Sequence, residues 1–145
     1  PDALVKALEA LRPITKGRLI CVFGCGGDRD PTKRAPMGQA AGLNADWSLV
    51  TSDNPRTEVP KEIADAVIVG LEEVGARLGG VEIRGAYGIE LERSEAISLA
   101  IKSASPTDCV LIAGKGHEDY QLIGTSKRFF DDREEALRVL EELCS

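Results

Sequence analysis

The run Cys109-Val110-Leu111-Ile112-Ala113 is apolar at every position and stops at Gly114. A strand with one wet face alternates polar and apolar side chains. A short run without alternation is buried on both faces, as in a parallel sheet covered by helices on each side. Residues 18–23 (RLICVF), closed by Gly24, have the same character, and residues 47–51 form a second, shorter run. Helical patterns separate these runs. Residues 2–12 carry Leu4, Ala7, Leu8 and Leu11 on one stripe and are stopped by Pro13. Residues 34–43 form a further helix, with Pro36 tolerated in its first turn.

Pro60 opens a long amphipathic pattern (Ile63, Ala64, Val67, Ile68, Leu71, Val74) that ends at Gly75 or at Gly79-Gly80. Residues 93–103 and 132–143 complete the helices, and small strands are expected at 81–83 and 120–123. Strand and helix alternate without repeat or linker. The expected fold is therefore α/β and Rossmann-like, a mostly parallel sheet with helices on both faces, as one domain over residues 1–145.

Charge narrows the partners. With Lys and Arg at 18 against 24 Asp and Glu, the net charge of -6 leaves no basic surplus for nucleic acid. No apolar run approaches the roughly 18 residues of a spanning helix and no signal peptide opens the chain, so a cytoplasmic protein without membrane contact is expected. Cys21, Cys25, Cys109 and Cys144 contain no C-x-x-C pair and read as reduced thiols. No Cys/His cluster suggests a metal, and a metal-free monomer is expected.

In open α/β sheets, ligands sit beyond the carboxyl ends of the strands. Three loops begin there, G-C-G-G-D-R-D (24–30), S-D-N-P-R (52–56) and G-K-G-H-E-D (114–119). Each is ordinary alone. The first is not G-x-G-x-x-G, because Arg29 stands at the third glycine's place, and G-K-G is not a P-loop. His117, taken singly, reads as structural or exposed. Together, however, the loops bring Asp28, Arg29, Asp53, Asn54, Arg56, Lys115, His117 and Glu118 to one edge, a concentration that a solvated surface does not require. Arg29 and Arg56 offer planar forks that match a carboxylate bidentately. Asp53, Asn54 and Glu118 can accept hydrogen bonds from an ammonium group, and Pro55 stiffens its loop. A zwitterion, an amino acid, fits this edge better than a nucleotide.

The motifs Gly24-Cys25-Gly26-Gly27-Asp28-Arg29-Asp30, Lys33-Arg34, Met37-Gly38, Asp53-Asn54-Pro55-Arg56 and Gly114-Lys115-Gly116-His117-Glu118-Asp119-Tyr120-Gln121 resemble the C-terminal domain of the Mur ligases of peptidoglycan synthesis. The resemblance runs over the whole chain, and its opening Pro1-Asp2-Ala3-Leu4 looks like the end of that family's interdomain junction. D-N-P-R is similar to the motif of members that add meso-diaminopimelate, and it differs from lysine-adding relatives. Glu92-Arg93 is a small departure, since relatives often have Asp-Arg there.

The resemblance implies a three-domain, ATP- and Mg2+-dependent amide ligase. An acyl phosphate on a UDP-muramoyl dipeptide would be attacked there by the amine of meso-diaminopimelate. It further implies that Arg29, Asp53, Asn54, Pro55, Arg56, Gly114 and Glu118 contact diaminopimelate, Arg56 at the distal carboxylate and Glu118 near the distal amine. Asp28 and Lys33 are implied to close onto the nucleotide. No P-loop and no carbamylated-lysine context occur in these residues, so the N-terminal and central ATPase domains are expected to lie outside this chain. Catalytic residues are expected elsewhere, and the chain alone is expected to be inactive. Competing readings are a stand-alone amino-acid-binding or regulatory module and a lysine-adding or folylpolyglutamate-type relative. D-N-P-R argues against the last two.

Overall fold

A computed structural model describes residues 1–114 and 120–144. Helix α1 (Asp2–Leu11) carries Asp2 in its first turn, where a carboxylate complements the helix dipole, and gives way to a tight turn around Pro13. Strand β1 (Leu19–Phe23) follows, then α2 (Arg34–Asn44) and β2 (Trp47–Val50). Helix α3 (Pro60–Glu73) starts with its proline at the first position, where the missing N–H costs nothing. Then come β3 (Ala86–Ile89), α4 (Arg93–Ser103) and β4 (Cys109–Ile112). A hairpin, β5 (Tyr120–Ile123) and β6 (Ser126–Phe129), precedes α5 (Asp132–Cys144), whose first turn is acidic.

The main sheet has the order β3-β2-β1-β4 and every pairing in it is parallel. Because side chains alternate along a strand, β1 serves two cores at once. Leu19, Cys21 and Phe23 join Leu4 and Leu8 of α1, Ala40 and Ala41 of α2, and Val67 and Leu71 of α3. Ile20 and Val22 join Trp47, Leu49, Ala96 and Ala100 on the other face, beneath α4. Helix α5 packs against α4. This is the parallel sheet that the non-alternating runs imply, fully buried along central β1, whereas β4, at the sheet edge, is only partly buried. Among the described residues no helix is long and apolar enough to cross a membrane.

Two strands differ from expectation. Residues 81–83 form a turn rather than a strand: the Ile83 amide donates to the Gly80 carbonyl, and the Ile83 side chain is exposed. The third strand is instead A-Y-G-I, which pairs with β2 in the register Trp47↔Ala86 to Val50↔Ile89. Its glycine is a poor strand former. Position 88 nonetheless faces Trp47, where an added Cβ would lie 2.8 Å from Cζ2 of the indole. Packing overrides propensity here. Strand β6 went unforeseen because S-K-R-F is exposed at every position and shows no buried face.

Candidate functional site

The adjacency of β2, β1 and β4 sets the loops that leave their carboxyl ends side by side. The first two interlock. The Gly27 amide donates to the Asn54 carbonyl at 2.7 Å, and Gly27 lies so close to the Pro55 carbonyl that a Cβ would overlap it. Only glycine permits that approach. Arg56 takes a left-handed backbone, φ 51°, a conformation that persists in a non-glycine residue only where the surroundings enforce it. The surroundings here are the hairpin. The Arg56 amide donates to the Leu122 carbonyl at 3.0 Å, and the Gly124 amide donates to the Arg56 carbonyl at 2.5 Å. Arg56 Nη1 donates to the carbonyls of Gly27 (2.9 Å) and Asn54 (3.2 Å), so one end of its fork is anchored to the loops. Asn54 is buried, with Oδ1 accepting the Leu122 amide at 2.9 Å, and Gln121 Nε2 donates to the Asp53 carbonyl at 2.8 Å.

Two buried arginines brace these loops from behind. Arg34, at the start of α2, donates from Nη2 to Glu58 (2.7 Å) and to the Gly26 carbonyl (3.3 Å). Glu58 also accepts the Asp28 amide at 2.5 Å, and both contacts hold its carboxyl below the usual value, Arg34 more strongly. Arg93, at the start of α4, is fully buried. It forms a bidentate pair with Asp132 of α5, both contacts 2.7 Å, and donates to the carbonyls of Ser52 (3.2 Å) and Ala113 (3.0 Å). The second and third loops are thus tied to one guanidinium.

In front of this frame lies a cleft of about 580 Å³ whose lining includes Gly24, Gly26, Arg29, Lys33, Asp53 and Gly114. The Arg29 side-chain stem and Arg56 Nη1 both border Gly26, where a Cβ would lie 3.3 Å from Arg29 Cγ and 3.0 Å from Arg56 Nη1. Cys25 also borders the cleft; burial pushes its thiol up to about 11, so it stands as a neutral thiol at neutral pH. Of the residues expected in the site, Arg29, Lys33, Asp53 and Gly114 meet at the cleft. Arg56 flanks it across Gly26, and Asn54 and Pro55 are buried behind it. Asp28 is not among the lining residues of the cleft, and its carboxylate accepts from the Thr57 hydroxyl (2.7 Å) and amide (3.2 Å). Glu118, with Lys115 and His117, lies outside the described residues. Among the described residues no group of three or more His, Cys, Asp or Glu side chains could hold a metal ion.

Arg34 and Gln121 stand within the sequence motifs and Arg93 in the Glu92-Arg93 departure, but none carries a role in the sequence reading. For Arg93 a signal existed. It heads the buried stripe Ala96, Ile97 and Ala100 of α4, an arginine on the apolar face of a helix. Such a charge must find partners in the interior.

The family model described as "Mur ligase, glutamate ligase domain" matches residues 1–116. Curated relatives include the UDP-N-acetylmuramoyl-L-alanyl-D-glutamate--2,6-diaminopimelate ligase of Gloeobacter violaceus, 51% identical over 142 residues, covering 98% of this chain and 27% of that protein. The ligase of the same name from a Synechococcus species is 54% identical over 140 residues, covering 97% of this chain and 26% of that protein. A solved structure of a ligase with that name superposes with a TM-score of 0.87 at 39% identity, over 100% of this chain and 28% of that one. The chain thus spans about a quarter of the length of the relatives it matches.

Proposed function

The chain belongs to the Mur ligase family as its glutamate ligase domain, and from that premise we propose that it presents meso-diaminopimelate to an activated UDP-muramoyl dipeptide. One observation carries the reading of the cleft. Arginines from two loops border Gly26, and Arg29, Asp53 and Gly114 line one cleft. A ligand with a carboxylate at one end and an ammonium group near it satisfies both charges. Arg29 and Arg56 take the distal carboxylate. Asp53 and Glu118 take the distal ammonium group, and the buried Asn54-Pro55 pair keeps the loop rigid, so little ordering entropy is lost on binding. Gly114, free of a side chain, lets the ligand approach the backbone.

In the reaction so proposed, the free amine of diaminopimelate attacks the acyl phosphate carbonyl. The new amide bond forms, phosphate leaves and the amine gives up its proton. ATP with Mg2+ supplies the acyl phosphate when bound. Within this chain Lys33, which lines the cleft, and Asp28 are the residues to meet the nucleotide's phosphates, and the Thr57 hydroxyl donates to the Asp28 carboxylate. What the chain itself contributes is orientation: holding the far end of the amino acid fixed makes the attack effectively intramolecular.

The test is product formation by the polypeptide that joins this chain to its ATP-binding partner domains. Given UDP-N-acetylmuramoyl-L-alanyl-D-glutamate, ATP and each of meso-diaminopimelate, L-lysine and D-glutamate in turn, it should yield the diaminopimelate tripeptide. Preferential incorporation of lysine or glutamate would refute the assignment.

A further inference from the structure

The reading of the cleft as an amino-acid site does not explain why a fully buried guanidinium lies behind it. Arg93 grips two carbonyls, and each belongs to the residue immediately before a cleft residue: Ser52 precedes Asp53, and Ala113 precedes Gly114. A peptide unit is planar and trans, so its C=O and N–H point in opposite directions. A carbonyl drawn inward to Arg93 therefore turns the next N–H outward. Resting on the amino-acid reading of the cleft, we infer that Arg93 is a positioning residue that aims the backbone amides of Asp53 and Gly114 at the ligand, without touching the ligand itself.

Three further observations converge on this role. The position of a Cβ on Gly114 lies 3.9 Å from Arg93 Nη2, 3.6 Å from Asp53 Oδ2 and 3.8 Å from the Gly24 carbonyl, so the guanidinium sits directly beneath the floor where the three loops meet. Gly114 has φ 116°, a conformation an L-residue rarely adopts, so the direction of its peptide unit is a built feature. The grip is also rigid, because the Asp132 carboxylate holds Nε and Nη2 of the same guanidinium. Two donor contacts from one planar group thus fix two peptide planes in two loops, while two more hold the group to Asp132. Lysine, with a single nitrogen, cannot reproduce that fork. Amides aimed at a cleft from two loops form an anion-binding concavity. The chemistry they suit is a carboxylate, and Arg93 thereby tunes the pocket for the carboxylates of the amino acid.

The experiment separates this role from simple support of the fold. Asp132→Asn weakens the ion pair but leaves Arg93 on both carbonyls. Arg93→Met/Asp132→Leu replaces the pair by apolar groups of similar size, a swap that cores often tolerate, and removes the carbonyl anchors. Amide-resolved NMR titration of the chain with meso-diaminopimelate reads both. Asp132→Asn should lower thermal stability and leave the dissociation constant within about threefold, as for a lost structural contact. The double variant should remain folded, displace the Gly114 and Asp53 amide resonances even without ligand, and weaken binding about tenfold or more. Arg93→Lys makes the same comparison if the double variant does not fold, with an intermediate loss expected. Unchanged Gly114 and Asp53 resonances, or binding within about twofold of wild type in a folded variant lacking the fork, overturn the inference. Absence of any binding by the wild-type chain instead counts against the amino-acid reading, while the ligand-free resonances still decide the role of Arg93.

Discussion

Asp108 sits one residue before β4, and its carboxylate collects four donors. These are the amides of Arg18 (2.7 Å) and Ser105 (2.8 Å), together with Nε (3.0 Å) and Nη2 (2.7 Å) of Arg18. Its side chain is 2% exposed, against 32% for Arg18. Burial alone pushes the carboxyl up. The Arg18 side chain, then the two amides and the Arg18 charge, overcome this and hold it at about 2. In the unfolded chain the ordinary value near 3.9 returns. A folded value below the unfolded one stabilises the fold fully above about pH 4, and that stabilisation is lost as the pH falls through about 2. Its size is about 2 kcal/mol at neutral pH, falling to roughly half at pH 3.

Asp108→Asn removes the charge and keeps the shape. Urea titrations of wild type and variant at pH 7 should differ by about 2 kcal/mol, a midpoint shift of about 1 M. At pH 3 the gap should shrink by about half, because only the wild type has lost charge-dependent stability. A gap of equal size at both pH values would refute the electrostatic argument and leave only lost hydrogen-bond geometry. No gap at pH 7 would show that the β1–β4 staple contributes nothing.

Gly27→Ala should cost about 1–3 kcal/mol, because the new methyl meets the rigid backbone at Pro55 rather than a side chain that can yield. A thermal melt lowered by only a degree would contradict that. Arg56→Ala should weaken meso-diaminopimelate binding by about 30-fold to several thousandfold, the span for losing one partner of a desolvated charge pair. In the ligase reaction the Michaelis constant for the amino acid should rise far more than that for ATP. Equal effects on both would make Arg56 a loop anchor only. Thiol labelling of the native chain at neutral pH should modify exposed Cys144 first and leave Cys21, which burial pushes up to about 12, untouched until the chain unfolds. Intact-mass analysis over time distinguishes the sites, and early loss of Cys21 would contradict the packing of β1.

Much of the architecture was legible because burial leaves a mark on sequence. The non-alternating run at 18–23 is a strand buried at every position, the run at 109–113 is the partly buried edge strand β4, and Pro60 marks a helix start that the structure keeps. The cleft's place was legible for a related reason. A parallel sheet sends its loops to one edge, so Arg29 after β1 and Asp53 after β2 line one cleft with Gly114 after β4. What sequence hid depends on long-range packing. Strand β3 exists because Ala86 and Gly88 fit beside Trp47 and Leu49, which no local pattern records. No local pattern gives Arg34 or Arg93 its role, and both are buried staples between loops that are far apart in the chain. Asn54 looked like a ligand-facing turn residue, and its Oδ1 instead accepts the hairpin amide of Leu122.

The central claim, that Arg29 and Arg56 read a distal carboxylate, is tested most directly by calorimetric titration of the chain with meso-diaminopimelate and with L-lysine, which shares the distal amine but lacks that carboxylate. Meso-diaminopimelate should bind at least about 30-fold more tightly, because lysine leaves the arginines without their anion. Arg56→Ala should remove most of the difference. Equal affinities for the two amino acids, or a preference that survives the loss of Arg56, would contradict the claim.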